Sequence, residues 1–227
     1  MYRATHPIAD ETRLPFTCDM LLFAINKRFN MKTIQHSCIR TAMALAFSCL
    51  LRVSEYLGQY AVRCGDITFT VQLNNDRITK LTADQIHNHK SQIKMIINVN
   101  INIRCSKTDA FGARFNYFFD AGSRHLDSFD LVQILFDHAS LLTGNTVGSA
   151  FFQSLGVCPY KLTYDEFNCS IRIVATHSGL PTFSFATHSL RIGGACALLA
   201  NGASEALIRL MGRWRSLAFL DYLRMTE

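Results

Sequence analysis

His188 and Arg191 fall at i and i+3 behind Phe183-Ser-Phe-Ala-Thr187, so one helix face carries both close to its start. The free N–H groups and the dipole of a helix N-terminus favour an anion there. Gly193 and Gly194, just beyond, let another backbone or a bound molecule approach closely. Far upstream, Arg52 interrupts the apolar run from Ala42 to Leu57, whose only other charge is Glu55. A charge entering a core must be paired or functional. Either Arg52 and Glu55 are a structural pair at i, i+3, or Glu55 orients Arg52 toward a bound phosphate. Two arginines and a histidine on one phosphate neutralise charge as it develops on the non-bridging oxygens, the work a metal ion does elsewhere. No divalent ion is then required, and the sequence has no carboxylate cluster to hold one; no metal or other cofactor is expected.

Three further residues could complete such a site. Lys107 lies in Ile103-Arg-Cys-Ser-Lys107-Thr-Asp-Ala-Phe-Gly. A lysine in a polar turn is ordinarily a solvated surface residue, although a flexible ammonium is also a point donor of protons. Trp214, the sole tryptophan, follows Gly212-Arg213 and comes 23 residues after Arg191; a core role is as open to it as a functional one. Tyr222, in Phe219-Leu-Asp-Tyr222-Leu-Arg, comes 31 residues after Arg191. A phenol with a pKa of about 10 attacks only beside a base or cations, which His188, Arg52 and Arg191 would supply. For His188 the structural alternative is a buried ring satisfied by backbone. The arginine three residues later, before the almost wholly apolar Ile192 to Ala200, weakens it.

Together, Leu51-Arg52-Val-Ser-Glu55, Cys105-Ser-Lys107-Thr-Asp, His188-Ser-Leu-Arg191-Ile-Gly-Gly, Met211-Gly-Arg-Trp214 and Tyr222 resemble the active site of the tyrosine recombinases, the phage-integrase family. The parts occur in the family's order and cover nearly the whole chain, from about Arg13 to Glu227. The resemblance implies cutting and rejoining of double-stranded DNA through a 3′-phosphotyrosyl bond. Tyr222 would be the nucleophile, Lys107 the general acid at the leaving 5′ oxygen and His188 the general base. Arg52, supported by Glu55, and Arg191 would clamp the transition state. Trp214 would donate its ring N–H to the phosphate while packing the nucleophile's helix. Of the seven tyrosines, only Tyr222 stands at the distance after Arg191 that the family requires.

A phosphotyrosine conserves bond energy, so the family needs no high-energy cofactor; the chain has no glycine-rich phosphate loop either. Gly212-Arg-Trp-Arg-Ser-Leu-Ala-Phe-Leu-Asp-Tyr is most similar to the recombinases of eukaryotic mobile elements, the DIRS-like retrotransposons and Crypton transposons. Two departures are visible. The helical DNA-clamping domain that usually precedes the catalytic one is expected to be absent here, the chain being either a fragment of a larger element protein or a compact version that needs a partner. Residues 1–14 are read as a linker remnant and 15–227 as the catalytic domain. Only five residues follow Tyr222. The expected partners are therefore DNA, further copies of the chain assembled on it, and a clamping domain supplied from elsewhere. A domesticated, non-catalytic DNA-binding module and a type IB topoisomerase-like relaxing activity are the alternatives.

These residues need elements to position them. The pattern predicts a helix from Leu14 to Phe29 and a second from Lys32 to Leu51, with Arg52 at its end. Period-two alternation over Ile67 to Leu73, Ile97 to Ile103 and Ala113 to Phe119 predicts three strands, the last two a hairpin with its loop at Ser106 to Gly112. Helical patterns return at Phe129 to Leu142, Thr163 to Thr176, Ser189 to Asn201, Ala203 to Met211 and Leu217 to Met225, with Asn201-Gly202 as a helix stop. The fold class is α+β and mostly helical, with a small three-stranded antiparallel sheet, an order of elements similar to the recombinase catalytic domain.

Composition sets the outer bounds. At 227 residues, 49% hydrophobic and 18% charged, the chain is globular and large enough for a sizeable core. Lys and Arg number 23 against 17 acidic residues, a net charge of +6 that suits a polyanion partner. The eight cysteines form no CxxC or other metal-ligand spacing. With no secretory leader and no apolar run of about 20 residues, the expectation is a soluble intracellular protein without membrane contact, nuclear if its host is eukaryotic. His87-Asn88-His89 lacks any metal-binding context and is expected to be an exposed polar turn.

Overall fold

The computed structural model describes residues 13–104, 114–125, 129–214 and 220. The chain enters through α1 (Cys18–Phe23), which widens into a π-helical turn (Ala24–Arg28), and continues into α2 (Ile34–Ser48) and the single-turn α3 (Val53–Tyr56). Strands β1 (Ile67–Leu73) and β2 (Ile78–Thr82), helix α4 (Ala83–His89), and strands β3 (Ile93–Ile103) and β4 (Phe115–Asp120) follow. The short pair β5 (Arg124–His125) and β6 (Phe129–Asp130) leads into α5 (Leu131–Leu141). A second short pair, β7 (Gln153–Ser154) and β8 (Tyr160–Lys161), precedes α6 (Tyr164–His177), α7 (Thr187–Ala200) and α8 (Glu205–Gly212).

Side-chain caps decide where the helices begin. Thr17, Thr33, Asp130, Thr163 and Ser204 accept the N–H of Met20, His36, Gln133, Glu166 and Leu207, satisfying donors that the first turn leaves orphaned. The Thr17 cap delays the first helix to Cys18, later than the apolar pattern suggested. Gly202, at φ +79°, follows the end of α7 as expected of a helix stop. Of the last expected helix, Leu217 to Met225, only Leu220 is described, and it is helical.

The sheet has four antiparallel strands, in the order β2-β1-β3-β4, and not three. The additional strand is β2, which sends only Leu81 into the core and so shows little alternation. It pairs with β1 from Thr68↔Thr82 to Gln72↔Ile78. His87-Asn88-His89 is also corrected: it ends helix α4 and is no turn. His87 Nδ1 is hydrogen-bonded to the Ser140 carbonyl at 2.8 Å. β3 and β4 pair from Ile103↔Phe115 to Asn98↔Asp120, and the expected hairpin loop falls outside the described residues.

One face of the sheet, with Ile67, Phe69, Val71, Val99, Ile101, Ile103 and Tyr117 buried, joins the helices in a single core. Phe69 meets Phe136 of α5 edge-on at 5.8 Å, and Tyr56 of α3 meets Phe167 of α6 at 5.5 Å. Gly193 and Gly194 let α7 lie flush on the fold. A Cβ at Gly193 would fall 1.8 Å from the Phe16 carbonyl oxygen, and one at Gly194 would fall 2.2 Å from that of Phe47. The close approach these glycines allow is that of the protein's own backbone. Phe16 N–H donates to the Ser189 carbonyl and Leu14 N–H to that of Ser184, tying the entering chain to the start of α7.

Candidate active site

Arg52 is the N-cap residue of α3. Its backbone N–H donates to Glu55 Oε2 at 2.7 Å, and its Nη1 donates to Oε1 at 3.3 Å. Glu55 is fully buried, whereas the Arg52 side chain keeps 23% of its surface open. The carboxylate is thus paired on the inside, and the Arg52 side chain is only partly covered.

Arg191 projects from the second turn of α7 and is 1% exposed. Its Nη1 donates to the Leu50 carbonyl at 2.9 Å and its Nη2 to the Gly212 carbonyl at 2.5 Å. The guanidinium lies over the Trp214 ring, 4.3 Å from its centroid. Burial first, then the nearby Arg52 and Arg213, lower its pKa to about 9, so it stays charged at neutral pH. Trp214 covers Gly212 so closely that a Cβ there would meet the indole at 1.7 Å. Leu50, Ala195 and Ile208 form a small apolar cluster on which Trp214 and Leu220 both pack.

His188 sits in the first turn of α7 with its side chain exposed. The protein crowded around the ring, followed by Arg191, Arg52 and Arg13, pushes its pKa down from 6.5 to about 4. A neutral imidazole at physiological pH is a proton acceptor.

The fold thus brings Arg52, Glu55, His188, Arg191 and Trp214 together from both ends of the chain. Lys107 and Tyr222 lie outside the described residues. The start of the segment bearing Lys107 is held by Arg104, whose Nε donates to Asp66 Oδ2 at 2.8 Å and Nη2 to the Ala61 carbonyl at 3.0 Å.

Three site residues were not singled out from the sequence. Arg13, in the stretch read as a linker, donates to the Phe183 carbonyl and adds positive charge beside His188. Arg213 donates through Nη2 to Glu55 Oε2 at 2.6 Å and reaches the Cys49, Leu50 and Met211 carbonyls. Tyr117 presents its hydroxyl to the Cys49 carbonyl at 2.7 Å and accepts from Arg213 Nη1. Burial raises the Tyr117 phenol well above its usual range, which unfits it as a nucleophile despite its position. Only its inward parity on β4 was available as a signal; nothing in the spacing marked Arg13 or Arg213. Among the described residues, Arg52, Arg191 and Arg213 gather around the carboxylate of Glu55 and Arg13 adds a fourth guanidinium beside His188, an excess of positive charge that suits an anion.

Elsewhere, His138 is a satisfied core histidine, bonded to Ser37 Oγ at 2.7 Å and the Phe151 carbonyl at 3.1 Å. Among the described residues no three His, Cys, Asp or Glu side chains come together as a metal site, and no helix is long and apolar enough to cross a membrane.

No protein-family model matches the chain, and no curated protein does. Solved structures do. XerH site-specific recombinase bound to palindromic difH substrate, in a post-cleavage complex, superposes with a TM-score of 0.56 at 15% identity over 95% of this chain. The pre-cleavage complex of XerH with difH gives 0.54 and 16% over 93%. The chain spans about half the length of these XerH chains, 50% and 51%. Its fold is that of the tyrosine recombinase catalytic domain.

Proposed function

We propose that this chain is the catalytic domain of a tyrosine-type DNA strand transferase, a site-specific recombinase or integrase. The observation that carries it is the convergence of Arg52, His188, Arg191 and Trp214, with Leu220 of the segment leading to Tyr222 packed on the same small cluster as Trp214. Tyr222 Oη attacks the scissile phosphorus, and the bond from phosphorus to the 5′ oxygen breaks. His188 takes the phenol proton, and Lys107 gives one to the leaving 5′ oxygen. Arg52 and Arg191 neutralise the non-bridging oxygens, joined by the Trp214 ring N–H. Rejoining reverses these steps with the 5′-hydroxyl of another strand. The net charge of +6 supports a DNA partner. The chain works inside the cell as an oligomer on DNA, alongside a clamping domain, and Gly212-Arg213-Trp214 supports an origin in DIRS-like or Crypton-like mobile elements.

Covalent trapping tests this. The chain and its Tyr222→Phe variant are incubated with a pool of nicked, labelled duplexes and run on a denaturing gel. A protease-sensitive shifted band that requires Tyr222 is the expected result. Salt-sensitive DNA retention with no such band would instead favour a binding module. Relaxation of supercoils, insensitive to sequence and without recombinant products, would favour a type IB topoisomerase-like activity.

A further inference from the structure

Three non-glycine residues among those described have a positive φ, and two of them, Leu50 (φ 49°) and Arg213 (φ 54°), flank the site. Left-handed backbone disfavours residues that carry a side chain and persists where surrounding interactions hold it. At Arg213 those interactions are the contacts of its own guanidinium, Nη1 to the Cys49 and Met211 carbonyls and Nη2 to the Leu50 carbonyl and Glu55 Oε2. The turn after α8 is thereby fastened to the turn after α2.

We propose that Arg213 is a positioning residue: it is the principal counter-ion of Glu55 and so leaves the charge of Arg52 for the substrate phosphate. The proposal rests on the function set out above. Glu55 is fully buried and among the described residues pairs with two guanidinium groups, Arg213 at 2.6 Å and Arg52 at 3.3 Å. Arg213 is both the nearer and the better buried, 12% exposed against 23%, so water screens its pairing less. With the carboxylate neutralised from the inside, Arg52 needs only one longer contact and its backbone N–H bond to be oriented. Without Arg213, the buried carboxylate would draw Arg52 inward and cancel the charge meant for the phosphate.

Arg213→Gly is the informative variant, because glycine adopts this backbone freely and the turn survives while the guanidinium is lost. Single-turnover covalent complex formation and the salt dependence of DNA retention are measured for the unaltered chain, R213G, the double variant R213G/E55Q, and R213K. R213G is expected to react about 100-fold more slowly. Its slope of log affinity against log salt should fall by about one phosphate contact. R213G/E55Q should recover most of both, since no carboxylate is left to hold Arg52. R213K, which keeps the charge without the fork, should fall between. A loss in R213G that the double variant does not recover would assign Arg213 to the fold alone and overturn the proposal, as would an R213G indistinguishable from the unaltered chain. An unaltered chain that neither retains DNA nor forms a covalent complex sinks the proposed function and the role of Arg213 with it.

Discussion

The Arg191 guanidinium stands 4.3 Å from the centroid of the Trp214 ring, while its Nη2 donates to the carbonyl of Gly212 two residues before that tryptophan. Trp214 therefore does more than fill space: it holds the arginine from one face. A desolvated cation–π contact contributes about 2 kcal/mol. Trp214→Phe keeps a ring face and loses the N–H, and is expected to form covalent complex about tenfold more slowly. Trp214→Ala loses both, with a drop of about 100-fold and about 2 kcal/mol of stability. Single-turnover rates and urea unfolding check the pair of values.

The glycines of α7 rank by what a methyl group would meet. Gly193→Ala and Gly194→Ala each drive Cβ into backbone that cannot swing aside, and are expected to destabilise by about 3 kcal/mol or to prevent folding. Gly202→Ala meets nothing within 4 Å and bears only the strain of φ +79°, about 1 kcal/mol. Urea midpoints measure the order; a Gly193→Ala protein as stable as Gly202→Ala would contradict the packing of α7 on Phe16.

Acid should destabilise the chain through His138. Burial lowers its folded pKa to about 4, below the 6.5 of a solvated histidine in the unfolded chain. The unfolded state therefore binds the proton first, and stability present above pH 6.5 is lost as the pH falls toward 4. Between pH 7 and 4.5 the parent chain is expected to lose about 2 kcal/mol more than His138→Gln. Urea unfolding at the two pH values gives the comparison.

For His188 the lowered pKa, about 4, keeps the base neutral in the free chain down to mildly acidic solution. The second-order rate of covalent complex formation reports groups of the free protein. Its acid limb should lie below pH 5, and an acid limb at 6.5 would show that neither burial nor the neighbouring Arg191, Arg52 and Arg13 act on the ring.

Lys107 is tested by the leaving group. Lys107→Ala should slow cleavage of an ordinary strand by about 100-fold or more, because the departing alkoxide then lacks its proton. A substrate with sulfur at the bridging 5′ position releases a thiolate, which needs no acid, and should react with Lys107→Ala and the parent at similar rates. Equal defects on both substrates would assign Lys107 to binding.

Much of this protein was legible in its sequence because the relevant signals are local. Helix α2, the strand alternation of β3 and the stop at Gly202 follow from periodicity and backbone preference within a few residues. Arg52 and Glu55 are one helical turn apart, as are His188 and Arg191, so their types and spacing suggested a phosphate site before any fold was known. Strand β2 escaped because it buries a single large residue, Leu81, and is held by its pairing with β1. Arg213 and Tyr117 escaped for a deeper reason. Glu55 and Arg213 are 158 positions apart, and their contact exists only because the turns after α2 and α8 meet. Local preference fixes which residues could do chemistry; long-range packing, through the buried Glu55 and two left-handed turns, decides how their charges are shared.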